Sequence, residues 1–301
     1  MKKTKKTKKI ISALLAIAML SSVTCSVPLT ASATSVNVAE SSYTYEDYSD
    51  WTYELLENGE GYRVLHYNGD QSKVKIPNKI NNLPVYEIGR SAFENNSNLI
   101  SVIIPESVNI IAESAFLNCT NLSKVYYTGT QDNWHSVMLH IGNECITPEE
   151  VYFDTLVKND ESGVWVAEKI NDDMCILVDY FGNANKVQIP SKIEDRRVIE
   201  IGEYVFADNS NLTKLIISNS IERISEYAFM NCTNLGMVYY TGSRENWQNA
   251  MIGLGNEALK SKEVYCDALV KNDESGVWVA HQMFEDTCII TEHFGNANKV
   301  Q

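Results

Sequence analysis

Histidine, proline and clustered cysteine are scarce in this 301-residue chain, and each scarcity removes a class of function. The five histidines are His66, His135, His140, His281 and His293, and His135 and His140 stand five apart, out of phase for one helix face. No HExxH, CxxC or GxSxG occurs, and neither does a phosphate-cradling or dinucleotide-binding glycine loop. The carboxylate pairs Glu149-Glu150, Asp160-Glu161 and Asp172-Asp173 fall on expected turns and rims, where solvated charge is the default. Without a catalytic constellation the chain reads as a non-enzyme needing no metal and no cofactor. Positive charge is also short. The net charge is −14, and six of the lysines lie within Met1–Lys9, so the remainder is more acidic still. Such a chain repels phosphate backbones, which argues against nucleic acid as a partner.

Long apolar runs are missing except for Ile10–Leu20. That run follows the basic MKKTKKTKK and precedes Ala31-Ser32-Ala33, the pattern of a secretory signal peptide over 1–33. It is too short to cross a bilayer, which takes about 20 residues. The expectation is a chain that is secreted or held at the cell surface, with no membrane insertion once the signal is removed. A Ser/Thr/Tyr-rich linker, 34–49, follows.

What the chain has in abundance is repetition. Leu99, Val102, Ile104, Val108, Ile111, Ala115, Phe116 and Cys119 lead to the next leucine at Leu122, a 23-residue step in the range of solenoid repeats. The same register returns at Leu212, Leu215, Ile217, Ile221, Ile224, Ala228, Phe229, Cys232 and Leu235. A larger period of 113 residues runs through the chain without a gap: Lys73–Pro77 matches Lys186–Pro190, Trp134 matches Trp247, and Gly142-Asn143-Glu144 matches Gly255-Asn256-Glu257. The expected organisation is module one over 50–154, module two over 155–267 and the start of a third over 268–301. VKNDESGVWVA recurs word for word at Val157 and Val270, and FGNANKVQ at Phe181 and Phe294. The third copy stops where the others continue into Ile-Pro, which predicts a fragment of a longer protein or a truncated gene.

Each module is expected to open with a β-hairpin, Trp51–Leu56 with Tyr62–Tyr67 in module one and Val164–Ala167 with Cys175–Phe181 in module two. The repeats follow, with parallel strands at Leu99–Ile104, Leu122–Tyr127, Leu212–Ile217 and Leu235–Tyr240, a rim loop at Lys79–Leu83 and a short helical turn at each Ala-Phe. A closing helix capped by Thr130 or Ser243 carries Trp134 or Trp247, read as core rather than as sugar platforms. Cys119 and Cys232 share one slot, and Cys175 and Cys288 another, so these cysteines read as small buried hydrophobes and not as a disulfide framework. Cys145 and Cys266 have no evident counterpart. Asn-x-Ser/Thr triplets, as at Asn118 and Asn231, recur with the repeat and read as turn chemistry.

Ile-Pro, Val-x-x-Ile, Ala-Phe, Asn-Cys-Thr-Asn-Leu and Val-Tyr-Tyr-Thr-Gly…Trp…Gly-Asn-Glu together resemble the BspA-type leucine-rich repeats of bacterial secreted and surface proteins. The resemblance spans Asp50 to Gln301, with Ser218 in the place of Pro105, and with Ala112 and Ser225 where that family often has glycine. It implies an α/β, β-rich leucine-rich-repeat solenoid that binds an extracellular protein or polysaccharide, as in adhesion. A structural spacer within a larger surface or polysaccharide-degrading protein is the alternative. Strand alternation turns Lys73, Lys75, Ser101, Ile103, Lys124 and Tyr126 outward in module one. Lys186, Gln188, Lys214, Ile216, Met237 and Tyr239 correspond in module two. Lys75-Ile103-Tyr126 and Gln188-Ile216-Tyr239 should stack in rows, an apolar strip beside lysines that is the candidate docking surface.

Overall fold

A computed structural model describes residues 48–147, 151–273, 276–284 and 287–294, and these belong to one compact unit. The expected signal peptide, nearly all of the linker and the final residues of the third copy lie outside them. The fold is a β-rich leucine-rich-repeat solenoid in which each coil contributes a short strand to two sheets.

In the first half, one parallel sheet contains Lys73–Lys75, Ser101–Ile104, Lys124–Tyr127 and Val151–Tyr152. The other contains Leu83–Ile88, Ile110–Ile111 and Met138–Leu139, extended at its edge by Tyr62–Tyr67 with the antiparallel Trp51–Leu55. The second half repeats this with Lys186–Gln188, Lys214–Ile217, Met237–Tyr240 and Val264–Tyr265 in one sheet. Met174–Phe181, Arg196–Ile201, Arg223–Ile224 and Met251–Ile252 run parallel in the other.

Identical side chains stack because the coils are in register. Val74, Val102 and Val125 pair across the first sheet and are buried together with Leu99 and Leu122. Phe93 lies flat on Phe116 (centroids 4.8 Å apart, planes at 6°) and Phe206 on Phe229 (5.0 Å, 7°). Cys119 and Cys232 are buried in the same ladders, donating from Sγ to the carbonyls of Phe93 and Phe206. Cys145, for which the sequence suggested no counterpart, donates to Phe116 O (3.3 Å) and so occupies the next rung of that ladder.

Two local expectations need correction. The Ala-Phe segments are not helical: Ser91, Asn95, Ser114 and Asn118 take φ between 57° and 62°, the left-handed region. These reversals turn alternate amides sideways, so Phe93 N reaches the next coil at Ala115 O (2.7 Å) and Asn95 N reaches Leu117 O (2.8 Å). The rim loop at Lys79–Leu83 is a small hairpin, Lys79–Ile80 against Leu83–Ile88, turning on Asn81 and Asn82, both at positive φ. An Asn-Asn pair suits a type I′ turn, and the hairpin drives Ile80 into the core.

The segment that follows the last phenylalanine coil of each half has no Ala-Phe carbonyl to satisfy that phenylalanine amide. Asn143 and Asn256 stand in for it: their Oδ1 atoms accept from Phe116 N and Phe229 N at 2.9 Å. Their Nδ2 groups donate back to Ala112 O and His140 O, and to Ser225 O and Gly253 O. Both asparagines are buried, which explains the repeated Gly-Asn-Glu as a cap for the final rung. The closing helices Gln131–Trp134 and Arg244–Asn249 are capped by Thr130 and Ser243 through the amides of Asn133 and Asn246.

Candidate ligand-binding faces

The strand register brings the predicted rows together. Lys75, Ile103 and Tyr126 stand side by side, as do Gln188, Ile216 and Tyr239. Their exposure is the correction. Ser101, Ile103, Tyr126, Ile216 and Tyr239 are buried, Lys75, Lys124, Gln188 and Lys214 are half-buried, and Met237 is exposed.

The cover is the following hairpin. Leu156–Asp160, Gly163–Lys169 and Met174–Phe181 form an antiparallel set, whose first strand the sequence reading did not separate. One face of it sends Trp165, Ala167, Cys175 and Leu177 into the second core. The other packs Val166 and Phe181, with Val157, Val164 and Val178, onto Ile103 and Tyr126. The same arrangement recurs downstream, where Ala268 and Val279 cover Ile216 and Tyr239.

A charge is built into the first of these contacts. Asp179, buried, accepts from Lys73 Nζ (2.5 Å), Ser101 Oγ (3.2 Å) and Tyr126 OH (3.2 Å). Lys73 also donates to Tyr180 O (3.2 Å), and Lys75 to Asn159 Oδ1 (3.1 Å). Burial, then the Asp179 charge and its hydrogen bond, push the Tyr126 phenol well above its ordinary range. A buried carboxylate with this many donors is a satisfied ion pair, and it ties the second hairpin to strands Lys73–Lys75, Ser101–Ile104 and Lys124–Tyr127. By strand pairing, Thr52, His66 and Asn68 of the first hairpin stand where Val166, Asp179 and Phe181 stand in the second; Thr52 and Val166 are 114 apart, so the 113-residue period slips by one within the hairpin, and Asn68 Nδ2 donates to Thr52 Oγ1 (3.1 Å).

The tryptophans pack as expected. Trp134 is half-buried against Tyr127 and Phe153, and Trp247 against Tyr240. The Asp160-Glu161-Ser162 turn is held internally: Asp160 accepts from Ser162 N, Ser162 Oγ and Trp165 Nε1. Among the described residues no three His, Cys, Asp or Glu side chains converge as metal ligands, and no helix is long and apolar enough to cross a membrane.

Solvent meets the solenoid along its rims. In the second half Tyr204 and Tyr227 stack on adjacent coils, centroids 5.4 Å apart and planes at 7°. Beside Tyr227 lies a groove of about 570 Å³ lined by Asn231, Thr233, Glu257, Ala258 and Lys262. A second groove of about 580 Å³ is lined by Asn183, Asn185, Ser210, Asn211 and Asn234. The sequence reading passed over these tyrosines. The signal was there in the 113-residue offset, which sets Tyr204 and Tyr227 against Ser91 and Ser114.

A family model described as "BspA type Leucine rich repeat region" matches six times, across residues 64–145 and 179–253. Among solved structures, the Leucine Rich Repeat protein TpLRR of T. pallidum is 20% identical over 73% of this chain and 85% of that one, with a TM-score of 0.26. A leucine rich cell surface protein of Faecalibacterium prausnitzii is 16% identical over 69% of this chain and 97% of that one, at 0.27. A leucine-rich repeat protein of Bacteroides capillosus is 19% identical over 64% and 94%, at 0.24. No curated protein matches the chain.

Proposed function

The chain belongs to the BspA-type leucine-rich repeat family, and from that membership we propose that it is an exported, non-catalytic recognition protein. It works at the bacterial cell surface or outside the cell, binding an extracellular protein or polysaccharide, as in adhesion. The observation that carries this reading is the basic, apolar, Ala31-Ser32-Ala33 leader set directly before a repeat array of a surface-protein family. The ligand meets the rims, because the strand rows that include Ile103 and Tyr126 are taken up by contacts between hairpin and coil. The test has two arms: N-terminal sequencing of the secreted product, expected to begin at Thr34, and an array of extracellular matrix proteins and polysaccharides probed with that product. Retention in the cytoplasm, or binding to nothing on the array, refutes the reading.

A second reading, the structural spacer, is favoured by one observation. The Asp179 cluster and the packing of Val166 and Phe181 on Ile103 and Tyr126 join the second hairpin to the coils before it, a property suited to holding another domain at a distance. It predicts that the array experiment is negative while the chain resists proteolysis between its halves.

A further inference from the structure

We propose that the rim of the second half, the stacked Tyr204 and Tyr227 with the groove beside them, binds the hexopyranose chain of a neutral polysaccharide. The inference rests on the recognition reading above and names its ligand class and its site.

Three observations support it. Tyr204 and Tyr227 sit at φ 60° and 59°, a conformation strained for a bulky side chain. Ser91 and Ser114 hold the same two positions in the first half at φ 57° and 58°, so the coil requires the backbone and not the ring. Tyr204 fills no core either, since 45% of its surface is open.

The rings are also held rigidly. A Cβ on Gly255 would come within 2.1 Å of the Tyr227 ring, so that ring is covered by Gly255 on one face and by Tyr204 on the other, and Tyr204 is the ring left open to a ligand. The result is a preorganised aromatic ledge that loses little freedom when a ligand settles on it.

The third observation is the lining. Beside Tyr227 stand Thr233, Ser261 and Asn231, whose Nδ2 also donates to Asp208 Oδ1 (2.7 Å), with Glu257 and Lys262 of opposite charge and Met230 and Ala258 as the apolar part of the groove. The turn containing Asn231 runs on to Asn234 in the lining of the second groove, where Asn211 Nδ2 donates to Asn183 Oδ1 (2.6 Å) and Asn234 Nδ2 to Ser210 O (2.7 Å), each amide keeping a second N–H for a ligand hydroxyl. A pyranose has an apolar C–H face for an aromatic ring and a girdle of hydroxyls for amides and carboxylates. A long path of amides beside one aromatic ledge suits a chain of such rings better than it suits a protein, which anchors in dry apolar pockets.

The experiment is affinity electrophoresis of the full chain through gels containing soluble barley β-glucan, xyloglucan, galactomannan or amylopectin. Tyr204→Ser, Tyr227→Ser and the double variant run alongside, each installing the residue of the first half, with circular dichroism melting as the check on folding. At least one polysaccharide should retard the wild type. Tyr204→Ser, which removes the open ring, should weaken that binding about tenfold, the scale of one aromatic stacking contact; Tyr227→Ser, which removes only the ring backing it, should weaken it less, and the double variant should run as in a blank gel. Retardation by none of the four overturns the inference, and if the chain then still captures a protein on the array, the recognition reading survives alone. Retardation that the folded double variant retains in full also overturns it, leaving glycan binding in place but at another site.

Discussion

Removing the Asn256 side chain tests whether the last coil is held by a single amide. In Asn256→Ala the Phe229 N–H loses its acceptor at 2.9 Å, and Ser225 O and Gly253 O lose donors at 2.8 and 3.1 Å. The site is fully buried, so water does not replace them. An orphaned buried amide costs about 1–3 kcal/mol and each lost hydrogen bond about 0.5–1.5 kcal/mol, which together give a loss of about 3 kcal/mol. Equilibrium urea unfolding followed by circular dichroism measures the total. Native-state hydrogen exchange at Phe229 resolves it locally, since a loss of that size speeds exchange about a hundredfold if the last coil opens by itself. Asn246→Ala, at an exposed helical position, is the control and should stay within about 0.5 kcal/mol. A loss below about 1 kcal/mol for Asn256→Ala, with the Phe229 amide still protected, would refute the capping argument.

Two further predictions follow from buried contacts. Val166→Asp places a carboxylate against Ile103 and Tyr126 beside Asp179, so hydrogen exchange across Ser101–Ile104 and Lys124–Tyr127 should accelerate while the Phe93–Phe116 stack stays protected. Unchanged exchange would mean that the hairpin does not seal that face. Burial pushes the Cys119 thiol up to about 12 and Cys232 up to about 11, so neither should react with a thiol reagent at pH 8 until the chain is unfolded. Because the folded values lie above the unfolded ones, the neutral thiols contribute their full stability below about pH 9, and it falls as pH rises from there towards 12. A urea midpoint that is flat from pH 8 to 10.5 would contradict this.

The coil itself was legible because a constant step stacks like on like. Leu99 over Leu122 and Phe93 over Phe116 follow from spacing alone, and the rows Lys75-Ile103-Tyr126 and Gln188-Ile216-Tyr239 follow from the same register. What lies on the outward face was not legible from alternation, which says where a side chain points and not what meets it there. The clue was in the covering strands: Val164, Trp165, Val166 and Ala167 are apolar in succession, the mark of a strand buried on both faces. Cys145 escaped because it stands 26 residues after Cys119 instead of 23, the closing helix having lengthened the coil. The Lys79–Leu83 hairpin was legible only from Asn81-Asn82, a pair that tolerates two successive left-handed residues, because its strands are too short to show an alternation.

The sealing of Ile103 and Tyr126 bears on how such a chain can lengthen. The second half carries a plug at its start, Val166 and Phe181, and a socket behind it, Ile216 and Tyr239. Copying the whole unit therefore brings a matching joint with it, and the array gains length without evolving a new interface. The first plug is polar, with Thr52 and Asn68 in place of Val166 and Phe181, so a new unit fits behind an existing socket and not in front of the first hairpin.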